Sequence, residues 1–198
     1  MDVEEKNIEV AYTVGRFQPP TLGHVRMIDA MLAKTDGKPA YVFISSAKDS
    51  FIPSAMKERY LRKMLTRNGV FPANLRLVDT ATCAIPCGGP LGGWGYIKDK
   101  LGITGPNVLL VVGSDQGPKF DPKTAGMWTK VPEGERPSIE SIPRAGEGVA
   151  TYSSTKARLA LATSGVRGLN TFLMGDGNAI TEEDVREMAD ELKPNLNG

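Results

Sequence analysis

The sequence predicts an α/β fold, in which a doubly wound parallel sheet of about five strands carries helices on both faces. Two observations lead to this prediction. Strand-like segments alternate with segments of helical periodicity, and the strand-like segments are apolar nearly throughout. Strands of that kind are typical of parallel sheets covered on both sides. With 198 residues, we expect one Rossmann-like domain over residues 1–198.

Four strands are located by runs of β-branched and apolar residues. They lie at 9–14, 40–45, 75–78 and 108–112. The first of them (EVAYTV) ends at Gly15, and the last (VLLVV) is continuously apolar. Short, buried runs of this length, separated by helices, indicate the neighbouring strands of a parallel sheet.

Four helices are predicted from apolar residues at helical spacing. The first covers about 22–34, and the second follows Pro53, which suits a first helical turn. Its apolar stripe consists of Met56, Tyr60, Leu61, Met64 and Leu65. A third helix is expected at 155–163 and a C-terminal one at about 181–193. The Thr181 hydroxyl can cap this last helix ahead of an acidic first turn.

Residues 83–148 have an unusual composition, because 13 Gly and 8 Pro stand among 66 residues. Both residue types interrupt regular structure. Long loops inside a domain are usually functional or disordered, and the aromatic residues Trp94, Tyr96 and Trp128 argue against simple disorder. We therefore expect substrate-covering loops here, built around one strand and one short helix.

Composition and charge restrict the function classes. The net charge of +1 argues against a broad surface for nucleic acid or anionic membrane. No apolar run is long enough to span a bilayer, and the acidic N-terminus does not resemble a signal peptide. Cys83 and Cys87, with one distant histidine, cannot complete a four-ligand zinc site, so we expect free thiols and no metal ligated by protein. These features predict a cytoplasmic protein, for which a homo-oligomer stays open.

The first segment whose residues could bind a ligand is GRFQPPTLGH, residues 15–24, hereafter the first signature. A strand that ends in glycine, followed by a loop and a helix, directs backbone N–H groups towards a ligand at the carboxyl edge of the sheet. Gly23 lets a phosphate approach the backbone, and His24, the only histidine, can donate to a phosphoryl oxygen. The alternative is that Gly15 and Gly23 serve turns and packing and that His24 is an ordinary core or surface residue.

The second segment is YSSTKAR, residues 152–158, hereafter the second signature. The consecutive hydroxyls of Ser153, Ser154 and Thr155 stand at the start of a predicted helix, where the helix dipole is positive. Lys156 and Arg158 add two cations that can meet a polyphosphate. Taken alone, this segment also fits an ordinary helix cap followed by a solvated basic turn.

Together the two segments resemble the nucleotidylyltransferase superfamily. The first signature is similar to the (H/T)xGH motif and the second to the ISSTxxR motif, in the same order. The GRFQP opening resembles nicotinamide mononucleotide adenylyltransferases of the archaeal type, whereas the Thr21 variant resembles phosphopantetheine adenylyltransferases. Tyr152 stands in place of the usual isoleucine. The resemblance covers roughly residues 10–160 and matches the irregular middle poorly.

The resemblance implies transfer of a nucleoside monophosphate from an NTP, with ATP as the favoured donor, to a phosphomonoester, with release of pyrophosphate. The leading acceptor is nicotinamide mononucleotide; phosphopantetheine, a cytidylyltransferase-type reaction with CTP, and a nucleotide-binding domain without turnover are the alternatives. His24, Thr21 and Arg158 are the expected catalytic residues, and Mg²⁺ is expected to arrive with the triphosphate. The nucleotide is expected to contact Gly15, Arg16, Phe17, Gly23, His24, Gly113, Asp115, Ser153, Ser154, Thr155 and Arg158.

Weaker candidates concern the two substrates. Gly113 and Asp115 follow the VLLVV strand and resemble the step at which relatives bind a ribose hydroxyl, although the same residues also make a good turn. Lys48 and Arg59 are candidate acceptor-binding cations or merely solvated charges. Trp94 is either a stacking platform for a flat acceptor ring or a packing anchor.

Overall fold

The computed structural model describes residues 7–45, 50–83, 88–143 and 152–196. Its centre is a five-stranded parallel sheet in the order β3-β2-β1-β4-β5, which confirms the predicted doubly wound fold. The strands are β1 (Val10–Gly15), β2 (Ala40–Ile44), β3 (Leu75–Asp79), β4 (Val108–Gly113) and β5 (Ser138–Ile142).

β1 and β4 pair in parallel, with Val10 opposite Val108 and Tyr12 opposite Leu110. β4 then pairs in parallel with β5, with Leu110 opposite Ile139. Every residue of β4 is buried, as its continuous apolar run predicts for a central strand. The order of the strands reverses between β1 and β4, which is the switch point of the sheet.

The helices are α1 (Leu22–Thr35), α2 (Ser54–Leu65), α3 (Gly89–Leu101), α4 (Gly117–Phe120), α5 (Ser154–Leu173) and α6 (Glu182–Leu192). The predictions for α1 and for the C-terminal helix α6 are therefore confirmed to within a few residues. Among the helices of the described ranges, none has the length and apolarity required to cross a membrane.

The chain divides into two compact units, neither of which is continuous in sequence. Unit 1 consists of Met1–Val14, Met27–Phe43 and Asn74–Pro143, and unit 2 of Gly15–Arg26, Ile44–Ala73 and Arg144–Gly198. Unit 1 holds nearly all of the sheet and helices α3 and α4. Unit 2 holds both signatures and helices α2, α5 and α6. The prediction of one domain over the whole chain stays a prediction.

Within unit 1, Gly93 lets α3 lie close against the sheet. A Cβ atom on Gly93 would lie 2.9 Å from the Tyr12 ring and 3.0 Å from the Phe43 ring. The Tyr12 hydroxyl donates a hydrogen bond to the Pro90 carbonyl at 2.9 Å, and burial raises the pKa of this phenol well above its usual value. The missing side chain at Gly93 thus permits the close packing of helix on sheet.

The described part of the Gly/Pro-rich region is more regular than expected. It contains the 13-residue helix α3 and a second strand, β5, besides the expected strand β4 and the short helix α4. Pro90 stands in the first turn of α3, and Gly102 ends it in the left-handed conformation (φ 70°). The prediction of loops around one strand and one helix was wrong because these residues serve helix ends and close packing here.

In unit 2, helices α2, α5 and α6 differ from expectation at their ends. Pro53 is the residue before α2 rather than part of its first turn. α5 extends ten residues beyond the expected 163, across an interruption at Gly165 (φ 63°, ψ −153°). Thr181 caps α6 as predicted, and it does so in a reciprocal capping box with Asp184.

Asp184 also joins α6 to α2. Its carboxylate accepts a hydrogen bond from Lys63 Nζ at 2.6 Å, and its backbone carbonyl accepts one from the Tyr60 hydroxyl. Burial opposes the ionisation of Asp184, but the hydrogen bonds from Lys63 and Thr181 outweigh it and lower the pKa of the carboxyl. Lys63 therefore has a structural partner at the α2–α6 contact.

Candidate active site

The loop that leads from β1 into α1 folds back on itself around a phenylalanine. Phe17 is 1% exposed and has a positive φ of 49°. Its ring lies so close to Gly15 that a Cβ there would approach the ring atoms to 2.8 Å. The same ring contacts the His24 imidazole edge to face, with 5.0 Å between centroids. Phe17 therefore holds the imidazole in place from within the first signature.

Thr21 and His24 form a cap at the start of α1. The backbone N–H of Thr21 donates to His24 Nδ1 at 3.0 Å, and the Thr21 hydroxyl lies 2.9 Å from the same nitrogen. In the ordinary capping box a Glu or Gln side chain occupies this position, three residues after the cap. Because Nδ1 accepts from a backbone N–H, the proton of the neutral imidazole is on Nε2, which makes Nε2 the donor nitrogen.

The second signature begins α5 with a conventional cap. The Ser153 hydroxyl accepts a hydrogen bond from Lys156 N at 3.3 Å, and α5 starts at Ser154. Thr155 and Lys156 are exposed, and Ser154 and Arg158 are half-buried. The positive end of a long helix thus coincides with the residues that the sequence singled out.

Three hydrogen bonds connect the two signatures directly. The Thr21 hydroxyl donates to the Tyr152 carbonyl at 3.0 Å, across 131 positions of sequence. The Ser154 hydroxyl donates to the Pro19 carbonyl at 2.8 Å. Arg158 Nη1 donates to the Gln18 carbonyl. The signatures therefore form one cluster in unit 2, in which Thr21 and Ser154 use their hydroxyl protons to join the two segments.

The Arg158 guanidinium has a defined environment beyond its bond to Gln18. Its Cζ lies 5.4 Å from the centroid of the Phe51 ring, in a cation–π arrangement. Burial, and then the positive charge of Arg16, lower the pKa of Arg158. Arg158 therefore lies near the start of α5 in an environment of like charge, which favours a bound anion.

A buried lysine that the sequence analysis missed lies behind this cluster. Lys57 of α2 is 0% exposed, and its Nζ donates to the Ser45 carbonyl at 3.1 Å and to the Ser50 hydroxyl. Ser50 Oγ also accepts from Gln18 Nε2 at 3.1 Å and donates to the Ile52 carbonyl at 3.0 Å. The Ser50 hydroxyl thereby makes two acceptor bonds and one donor bond, the full number available to it.

The sequence of the chain matches the model of a known protein family. The model described as cytidylyltransferase-like matches residues 12–160, which include both signatures. The chain belongs to the cytidylyltransferase-like family. This membership confirms the resemblance to the nucleotidylyltransferase superfamily that the two signatures indicate. No curated protein sequence matches the chain.

Solved structures share the fold of this family member at low sequence identity. Nicotinic acid mononucleotide adenylyltransferase of Plasmodium falciparum, complexed with NaAD, matches with a TM-score of 0.59 and 13% identity, covering 95% of this chain and 96% of the other. A bifunctional NMN adenylyltransferase/ADP ribose pyrophosphatase from Francisella tularensis, complexed with AMP and a manganese ion, matches with a TM-score of 0.58 and 12% identity. The match covers 96% of this chain and only 52% of that bifunctional protein.

The remaining residues predicted to contact nucleotide occupy a range of positions. Gly23 is the second residue of α1, and Arg16 is exposed in the loop before it. In unit 1, Gly113 is the last residue of β4 and is buried, and Asp115 is exposed in the turn that follows. Asp115 accepts a hydrogen bond from Gln116 Nε2 at 3.0 Å. A nucleotide-binding role for these residues stays a prediction.

The candidates for acceptor binding differ in what surrounds them. Arg59 forms an ion pair with Glu187 of α6 at 2.5 Å, so a structural partner accounts for its charge. Trp94 is 8% exposed, packs edge to face against Trp128 and donates from Nε1 to the Glu135 carbonyl at 3.0 Å. Those contacts are typical of a packing anchor. Lys48 lies outside the described residues.

Proposed function

We propose that this family member is a nucleotidyltransferase that moves a nucleoside monophosphate from an NTP to a phosphomonoester acceptor and releases pyrophosphate. The observation that supports the proposal most directly is the contact between the two signatures. It brings the His24 imidazole, the Arg158 guanidinium and the positive end of α5 into one cluster, within the electrostatic influence of Arg16. Cations and N–H donors at a helix start form a natural environment for a polyphosphate.

In this reaction an oxygen of the acceptor phosphate attacks the α-phosphorus of the NTP. A new P–O bond forms, the bond between the α-phosphorus and the α–β bridging oxygen breaks, and its electron pair leaves with pyrophosphate. The attacking phosphate is already anionic near neutral pH, so no protein base is needed. Catalysis then consists of holding the reactants in line and stabilising the charge on the phosphoryl oxygens.

Each part of the cluster has a role in that chemistry. His24 donates from Nε2 to an α- or β-phosphate oxygen, and its ring is held for this by Thr21 and Phe17. Arg158 and Arg16 bind the β- and γ-phosphates that leave as pyrophosphate. Ser153 and Thr155, at the start of α5, add donors for the same phosphates.

The donor set of the cluster is compatible with Mg²⁺ that is carried by the nucleotide. The described side chains around both signatures supply hydroxyls, an imidazole and cations. Mg²⁺ is commonly bound through substrate phosphates with few protein ligands. When bound, the ion would neutralise phosphate charge and so favour attack by the acceptor phosphate, while the residues named above orient the triphosphate.

The structural neighbours favour ATP and a pyridine mononucleotide. Both proteins named above are adenylyltransferases of nicotinic acid mononucleotide or NMN, and their described ligands are NaAD and AMP. We therefore place nicotinamide mononucleotide first among the acceptors, with its nicotinic acid analogue and phosphopantetheine next. CTP stands as the alternative donor, because the matching family model is described as cytidylyltransferase-like.

A pyrophosphate-release screen tests the proposal. The protein is incubated with Mg²⁺, each of the four NTPs and a panel of phosphomonoesters that includes nicotinamide mononucleotide and phosphopantetheine. We expect release with ATP and nicotinamide mononucleotide, and a product whose mass equals the acceptor plus AMP. Binding of ATP without release in any combination would instead identify a nucleotide-binding domain without turnover.

Arg158→Ala separates donor binding from acceptor binding. Removing the guanidinium deletes a charge-assisted contact to the leaving phosphates, so ATP affinity should fall about tenfold or more. Acceptor affinity should change little. Calorimetric titration of each substrate measures both effects, and a larger loss for the acceptor would transfer Arg158 to the acceptor side.

A further inference from the structure

Lys57 is a fully covered lysine of α2. Lysine is rarely covered completely in proteins unless partners hold its ammonium group. Its Nζ donates to the Ser45 carbonyl, just after β2, and to the Ser50 hydroxyl, four residues before α2. A buried ammonium group fixes the positions of the oxygens that accept from it, because every bond that it gives up costs desolvation energy.

The residues that Lys57 holds lead to Arg158 by two routes. In the first route, the Gln18 side chain donates from Nε2 to the Ser50 hydroxyl, and the Gln18 backbone carbonyl accepts a hydrogen bond from Arg158 Nη1. Through the second, Phe51, the neighbour of Ser50, places its ring against the Arg158 guanidinium. Both restraints on the guanidinium therefore depend on Ser50 and its neighbour Phe51, which Lys57 holds through the Ser50 hydroxyl.

We propose that Lys57 is a positioning residue, which fixes Ser50 and Phe51 so that Gln18 and the Phe51 ring hold the Arg158 guanidinium at the start of α5. The proposal concerns a residue that belongs to neither signature. Its consequence for catalysis rests on the proposed function, since Arg158 would bind the triphosphate. Its consequence for Arg158 itself does not require a substrate.

The variants are chosen to separate positioning from general stability. Lys57→Met keeps a long unbranched side chain and removes the ammonium group. Lys63→Met is the matched control on the same helix, because Lys63 has its ion pair with Asp184 at the α2–α6 contact. Should Lys57→Met fail to fold by circular dichroism, Ser50→Ala breaks the same link without changing the buried charge.

The first measurement needs no nucleotide. Arginine side chains are modified with phenylglyoxal, and the rate at Arg158 is followed by mass spectrometry of its peptide. We expect Lys57→Met or Ser50→Ala to raise that rate about fivefold, as loss of one ordinary hydrogen bond would. Lys63→Met should leave it unchanged. An unchanged rate in the Lys57 and Ser50 variants, or an equal rise in the Lys63 control, would overturn the proposal.

The second measurement uses ATP with Mg²⁺ in a double-mutant cycle. Lys57→Met should lower ATP affinity about fivefold in the parent protein and leave it unchanged in an Arg158→Ala background, because the effect passes through Arg158. An equal loss of ATP affinity in the parent protein and in the Arg158→Ala background would contradict the positioning role of Lys57. If the parent protein binds no ATP, the proposed function fails, and the modification rates alone decide the role of Lys57.

Discussion

Replacing His24 by alanine should lower turnover by roughly 10² or more and destabilise the fold by about 1 kcal/mol. The first effect is the size expected when a preorganised donor to a phosphoryl oxygen is lost. The second follows from the cap, because the Thr21 backbone N–H loses its acceptor at His24 Nδ1. Pyrophosphate release measures the first effect and thermal unfolding the second.

A single alanine variant cannot separate these two roles, but an asparagine can. The Oδ1 atom of Asn lies where His24 Nδ1 lies, so His24→Asn keeps an acceptor for the Thr21 N–H. It provides no donor at the position of Nε2. We expect His24→Asn to unfold at nearly the same temperature as the parent protein and to remain as slow as the alanine variant.

The alternative role of His24 as a structural residue makes the opposite prediction. If the imidazole serves only the cap, then the asparagine variant should recover most of the activity together with the stability. Full turnover in a stable His24→Asn protein would remove His24 from the reaction. The position of the two signatures would then be a matter of folding alone.

Elements that a local sequence pattern determines could be predicted, whereas an element that depends on contacts with distant residues could not. The apolar run of β4 and the helical period of α1 are local patterns, and both elements are where they predict. α3 was not predicted because four of its first seven residues are glycines, as its sequence GPLGGWGYIKDKL shows. The contact of Gly93 with Tyr12 and Phe43 explains why a glycine at that position favours the packing of α3 on the sheet, although glycine lowers helix propensity.

The site divides in the same way. The two signatures were recognisable from sequence, whereas the residues behind them were not singled out. For Lys57 a signal existed, because it precedes Tyr60 by three residues and Leu61 by four, and therefore falls on the apolar face of α2. For Phe51 and Ser50 there was none, since their link to the site runs through Arg158 and Gln18, which lie more than thirty positions away in sequence.

Gly15 illustrates why a motif glycine needs a structure to explain it. The sequence connects it with a ligand at the carboxyl edge of the sheet or, in the alternative interpretation, with a turn and packing. In the structure the space that a Cβ would take is occupied by the Phe17 ring, at 2.8 to 3.1 Å. That ring is buried and supports the His24 imidazole. A methyl group at position 15 would therefore act on the imidazole through Phe17.

Gly15→Ala should therefore impair both stability and activity. Overpacking against a buried ring typically costs about 1 to 3 kcal/mol, and a displaced imidazole should lower turnover by roughly tenfold or more. Gly126→Ala is the matched control, since nothing lies within 4 Å of the Cβ it would add. Thermal unfolding and pyrophosphate release of both variants measure the two effects.

A second substitution identifies the cause. Phe17→Leu removes the part of the ring that a methyl group at position 15 would strike, so in this background Gly15→Ala should cost markedly less stability than it does alone. Phe17→Leu should itself reduce turnover, because the imidazole loses its edge-to-face support. If Gly15→Ala costs the same with and without the ring, steric contact with Phe17 is not the reason for the glycine.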